Sequence, residues 1–188
     1  MMPETRSADA TVHERYTTNM KTNLRNTTSL SVAALLMTAV LAVPAAAESE
    51  PQHLYLTGGM QGFEIDVFQG TPPTTIAADG RAPGLATNLG ECTVTWKLTV
   101  KLSDGTATGT FQFTAANGDT IDTRIAGSST PALPPGVNRI TEINTITGGT
   151  GQFAGAKGSL VMERLIDLNT GFTSGSFHGT IILRGTGH

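Results

Sequence analysis

A single cysteine, Cys92, is all the thiol chemistry this chain carries, so no disulfide can form within it. No basic residue flanks Cys92 to lower its pKa. The favoured reading is a small buried apolar side chain, with an intermolecular disulfide or a reactive thiol as alternatives. Charge is sparse as well, at 14% of residues, and from Glu48 onward twelve acids face eight bases for a net charge of −4. No basic cluster exists, which argues against nucleic acid and anionic membrane surfaces as partners. Helical periodicity is absent: no apolar i, i+3, i+4, i+7 pattern is sustained after Glu48. His53, His178 and His188 lack metal-ligand spacing, so no metal site is expected, and no Ser-His-Asp or Cys-His arrangement is visible in sequence order.

What the chain does have begins with a three-part export signal. Lys21 and Arg25 form a short basic region, an apolar run follows from Leu30 to Val43, Pro44 breaks it, and Ala45-Ala46-Ala47 satisfies a signal peptidase. The run is shorter than the ~20 apolar residues that a bilayer span needs. The pattern therefore predicts a secretory signal over residues 20–47 and a secreted or periplasmic product that does not span a membrane. Residues 1–19 are polar and aperiodic, an N-terminal extension upstream of Met20, which is itself a candidate start. The remaining segment, 48–188, is one domain's worth of chain.

Within it, strand signals recur. Val94, Trp96, Leu98 and Val100 alternate with Thr and Lys, and Ser103-Asp104-Gly105 reads as a turn. Thr108–Thr114 places Phe111 and Phe113 on one face. Asn117-Gly118 predicts a type I′ hairpin, after which Ile121, Thr123 and Ile125 alternate. A Pro-rich loop around Pro131, Pro134 and Pro135 precedes strands over Arg139–Ile146, Leu160–Asp167 and Phe177–Arg184. Upstream, Phe63–Phe68 is a candidate first strand, and Thr71–Leu85 reads as a Pro/Gly/Ala-rich loop. Consecutive strands joined by hairpins make an antiparallel meander, and closing it removes both wet edges. The fold class is all-β: a single up-and-down β-barrel, favoured over a two-sheet sandwich.

Between two of these strands lies Thr147–Gly158, T-G-G-T-G-Q-F-A-G-A-K-G. Gly149-x-Gly151-x-x-Ala154 matches a dinucleotide fingerprint, but that motif needs a following helix and a parallel βαβ unit. Here Gly155 and Gly158 follow, and then a strand. Lys157 is followed by Gly158, so no Walker ending exists either. The glycines Gly149, Gly151, Gly155 and Gly158 are read instead as structural, shaping a tight β-corner with Phe153 as its apolar plug.

This corner, with Ser176-Phe177-x-Gly179-Thr180-Ile181 after it, resembles the allene oxide cyclase and dirigent protein superfamily. Gly84–Gly90, Gly109-Thr110-Phe111 and Ala115–Asp119 look like exported bacterial members. The resemblance spans about Gly84 to Ile182. It implies a barrel of about eight strands, often oligomeric, so a homo-oligomer is an expectation. It also implies work without metal or organic cofactor, through a shaped apolar cavity: plant cyclases close an oxidised fatty acid, and dirigent proteins steer phenoxy radical coupling. The matched residues are structural, and no catalytic position of either plant group carries over.

Glu142 is the catalytic candidate. It shares parity with Ile140, Asn144 and Ile146, and a buried carboxylate there would serve as a general acid or base. The opposite parity, with Thr141, Ile143 and Thr145 inside and Glu142 solvated, is favoured because charge is seldom buried unpaired. Arg164 shares parity with Leu160, Met162 and Ile166, as a partner for Glu142 or as a rim residue. Trp96, Phe111, Phe113, Asn144, Met162, Arg164 and Phe177 are the candidate ligand-binding residues if their faces point inward. Three functions follow: a binder of a small apolar or phenolic ligand, favoured; a cofactor-free cyclase or isomerase; and a filled barrel with a structural or interaction role.

Overall fold

The computed structural model describes residues 50–184. The predicted N-terminal extension and export signal, residues 1–47, lie outside the described residues. Eight strands follow one another: β1 (Gln52–Gly70), β2 (Pro73–Ala86), β3 (Gly90–Lys101), β4 (Thr106–Ala115), β5 (Thr120–Pro131), β6 (Val137–Gly149), β7 (Lys157–Asp167) and β8 (Phe172–Leu183). Each pairs antiparallel with the next, and β1 pairs with β8, so the sheet closes into a barrel. Closure leaves no strand edge open to a foreign strand.

Side chains alternate strictly between inside and outside. On β3, Cys92, Val94, Trp96 and Leu98 are buried, while Lys97 and Thr99 are exposed. Inward positions on every strand feed one core that includes Leu56, Phe111, Phe113, Ile121, Leu160, Met162, Phe177 and Ile181. Cys92 is buried among them, as its sequence context suggested, and burial raises its thiol pKa.

Three details differ from the sequence reading. Thr71–Leu85 is not a loop: most of it is β2, paired with β1 on one side and β3 on the other. Its Pro and Gly content conceals the strand, but Pro83 sits where the β1–β2 ladder is interrupted, between the Met60–Gly84 and Phe63–Arg81 pairs. The missing N–H of proline is tolerated at such a gap. The first strand is also much longer than Phe63–Phe68, running 19 residues from Gln52. Finally, Asn117-Gly118 does not form a type I′ turn. That turn needs positive φ at both residues, whereas among the described residues Asn88 is the one non-glycine with positive φ. Instead the Gly118 amide donates to Ala115 O and the Ala115 amide to Asp119 O, with Gly118 at φ 89°. This is a three-residue loop, a type I turn closed by a left-handed glycine.

The two ends of the barrel differ. At one end the β6–β7 connection contains a single 3-10 turn, Gly151–Phe153, and the Phe153 ring is fully buried. Asp119 secures the corner by accepting from the Gln152 amide at 3.1 Å. No helix follows the Gly-rich stretch, so the backbone offers no phosphate cradle there. The other end, ringed by the β1–β2, β3–β4, β5–β6 and β7–β8 turns, stays open.

Candidate functional site

The open end leads into a cavity of about 580 Å³. Ile76, Leu98, Ala107, Ile140 and Ile166 contribute apolar wall, and Glu64, Asp66, Glu142 and Arg164 line the same cavity. Four strands deliver these groups: β1 gives Glu64 and Asp66, β6 gives Glu142, β7 gives Arg164, and β8 adds Thr173 behind them.

Across the ladder from the bulkiest of these groups stands an inward glycine. Gly127 pairs with Glu142, Gly175 with Arg164, and Gly80 with Trp96. A β-carbon at residue 175 would lie 2.5 Å from Arg164 Cβ, and one at residue 80 would lie 2.0 Å from the Trp96 ring. The glycines thus provide the volume in which large polar side chains fold across neighbouring strands.

Arg164 is the hub. Its Nε donates to Glu142 Oε2 and its Nη2 to Glu142 Oε1, both at 3.3 Å. Its Nη1 donates to Glu64 Oε2 at 2.9 Å and to Thr173 Oγ1 at 3.3 Å. Thr173 in turn donates to Leu165 O. Trp96 Nε1 donates to the same Glu64 oxygen at 2.5 Å, and the guanidinium carbon lies 5.4 Å from the Trp96 ring centroid. Arg164 is 3% exposed and Glu142 fully buried, so the pair stands only because each satisfies the other. Burial raises the Glu142 pKa against the opposing pull of Arg164. For Arg164, burial acts to lower the pKa, but Glu142 and Glu64 outweigh it and the guanidinium stays charged.

Asp66 is different. It is half-buried, its Oδ1 is shielded from solvent without a hydrogen-bond partner, and its pKa is pushed up to about 6. Desolvation is the main cause, and the adjacent Glu64 charge adds to it.

The sequence candidates divide between two depths. Glu142 points inward, contrary to the favoured sequence reading: Thr141, Ile143 and Thr145 face out, and Ile143 is 57% exposed. The objection to burying an unpaired charge is met because Arg164 pairs with it. Glu142 and Arg164 line the cavity. Trp96, Phe111, Phe113, Met162 and Phe177 are also inward, but they pack on one another deeper in the barrel. Trp96 stacks on Phe111 at 5.4 Å between centroids, and Phe113 meets Phe177 edge-on at 5.1 Å. Asn144 is buried at this deeper level, where its Oδ1 accepts from Thr123 at 2.8 Å and its Nδ2 lacks a partner. His178 is exposed on the outer face of β8.

Glu64, Asp66 and Thr173 escape the sequence reading. On β1 the apolar residues Phe63, Ile65 and Val67 point to the outer face and are more than half exposed, so hydrophobicity alone assigns the wrong side. The usable signal lies upstream, where Leu54, Leu56 and Met60 carry the inward parity that continues to Glu64.

No family model matches the sequence, and no curated protein matches it. Among solved structures, the chain is similar to the pterocarpan synthase dirigent protein GePTS1, with 14% identity over 81% of this chain and 100% of that one, at a TM-score of 0.45. It is also similar to the pterocarpan synthase dirigent protein PsPTS1, with 12% identity over 74% of this chain and 99% of that one, at a TM-score of 0.39.

Proposed function

We propose that this chain is an exported β-barrel that binds a small, mainly apolar molecule in the open half of its barrel. The observation that carries the reading is the cavity of about 580 Å³ with its apolar wall and buried polar cluster. That volume and that mixture, mostly hydrophobic lining with a few convergent polar groups, are usual for small-molecule sites. Eight-stranded barrels have room for one small ligand. Export rests on the Ala45-x-Ala47 signal. Self-association has support in the exposed outer residues Phe63, Ile65, Val67 and Phe172.

A second reading, a cofactor-free cyclase or isomerase, draws on Asp66. A carboxyl with a pKa of about 6 and an unpartnered oxygen at a cavity is suited to give and take a proton near neutral pH. Glu142 is the weaker acid–base candidate because both its oxygens are engaged by Arg164.

Fluorescence titration with the neutral apolar probe N-phenyl-1-naphthylamine tests the binding reading. Saturable enhancement is expected for the wild type, and its loss in Ile140→Trp, whose indole would occupy the cavity. Equal enhancement by both proteins, with the variant's sheet intact by circular dichroism, would place the probe elsewhere and defeat the proposal.

A further inference from the structure

The polarity of the cavity is as informative as its volume. Of the five N–H groups on a guanidinium, Arg164 commits four to Glu142, Glu64 and Thr173. Arg164, the one buried cation among the described residues, is therefore occupied by the protein itself, and little of it is left for an incoming anion. Opposed to it are three carboxyl groups, those of Glu64, Asp66 and Glu142, all lining the same cavity. With Asp66 ionised, the cluster carries net negative charge even if Glu142 holds a proton. The other base in the lining, Lys101, is exposed at the rim. Asp66 meets the cavity as a half-buried acceptor beside Glu64, its Oδ1 shielded and the rest of its carboxyl within reach of an incoming donor. Arg164 stands between Glu64 and Glu142, and among the described residues no group of three or more His, Cys, Asp or Glu is placed to hold a metal ion. The surplus charge thus suits a cation that brings its own apolar body.

We propose, building on the ligand-binding reading, that the cavity selects a hydrophobic amine: an organic cation whose ammonium donates to Asp66 beside Glu64, and whose body lies on Ile76, Leu98, Ile140 and Ile166. A neutral alcohol of the same shape supplies the hydrogen bond without the charge. A carboxylate meets repulsion and an arginine already engaged.

Calorimetric titration with three molecules of one shape separates these cases: 2-phenylethylamine, 2-phenylethanol and 3-phenylpropanoate, at pH 7.5. The amine is expected to bind at least tenfold more tightly than the alcohol, and the propanoate most weakly. Asp66→Asn should lower amine affinity about tenfold and alcohol affinity by less than about threefold, since the amide oxygen still accepts a hydrogen bond but carries no charge. Propanoate binding as tightly as the amine, or a variant that changes all three alike, would overturn the amine assignment while leaving the cavity a binding site. Binding of none of the three, together with failure of the neutral probe, would remove the binding reading and the amine with it.

Discussion

Asp66 is more stable with its proton than without it. Its folded pKa of about 6 lies above the ordinary 3.8, so its contribution to stability is full below about pH 4 and is lost as pH rises through 6. A two-unit shift corresponds to about 3 kcal/mol for a sheltered group, and partial solvent contact reduces this to roughly 1 kcal/mol. Asp66→Asn should therefore stabilise the barrel by that amount at pH 8 and change little at pH 4, as read from urea midpoints at the two pH values. Arg164 gives the opposite experiment. Arg164→Met leaves Glu142 and Glu64 without a countercharge, and a loss of about 3–5 kcal/mol is expected at pH 7. The loss should shrink as pH falls, because burial favours the protonated form of Glu142. A deficit independent of pH would mean that Arg164 contributes through packing alone. The sequence shows Arg164 and Glu142 on compatible parities but does not show that they meet. They belong to neighbouring strands whose register, Glu142 opposite Met162 and Arg164 opposite Ile140, is set by the sheet.

At the level of elements, the β6–β7 corner and β2 are instructive opposites. The corner is readable because its glycines answer a local need. Gly151 and Gly155 take left-handed conformations at φ 56° and 71°, which L side chains avoid. Phe153 then turns into the core with no exposed surface. Phe153→Ala should cost about 3–5 kcal/mol by thermal or chemical unfolding, and a loss below about 1 kcal/mol would show that the ring is not the plug. Strand β2 is not readable, because nothing local makes it a strand. Its inward residues Ala78, Gly80, Ala82 and Gly84 are small and weak β-formers. They are drawn into the sheet by the ladders on both sides, and their small size suits the space left by Trp96 and its neighbours.

Across the whole molecule, closure makes stability collective. Every strand has two neighbours, so none can leave without opening two ladders. Unfolding is expected to be one cooperative transition: the fluorescence of the single tryptophan, Trp96, and far-UV circular dichroism should report the same denaturant midpoint. Separate midpoints would mean that the cavity end opens before the aromatic end. Alternation along β3, β4, β7 and β8, with hairpin signals between them, determined an antiparallel meander and set Trp96, Phe111, Phe113, Met162 and Phe177 on the apolar faces of their strands, because a period of two is a local property of the backbone; closure into a barrel put those faces inside. The Gly-rich corner and the absence of a nucleotide loop were local in the same sense. Only the tertiary structure decided which face of β1 and β6 turns inward, since both faces there carry apolar residues and closure of the sheet, not hydrophobicity, breaks the tie. It alone brought Glu64 to Arg164 across a hundred residues of chain, because a β1 side chain reaches one on β7 only once the β1–β8 ladder has closed the barrel.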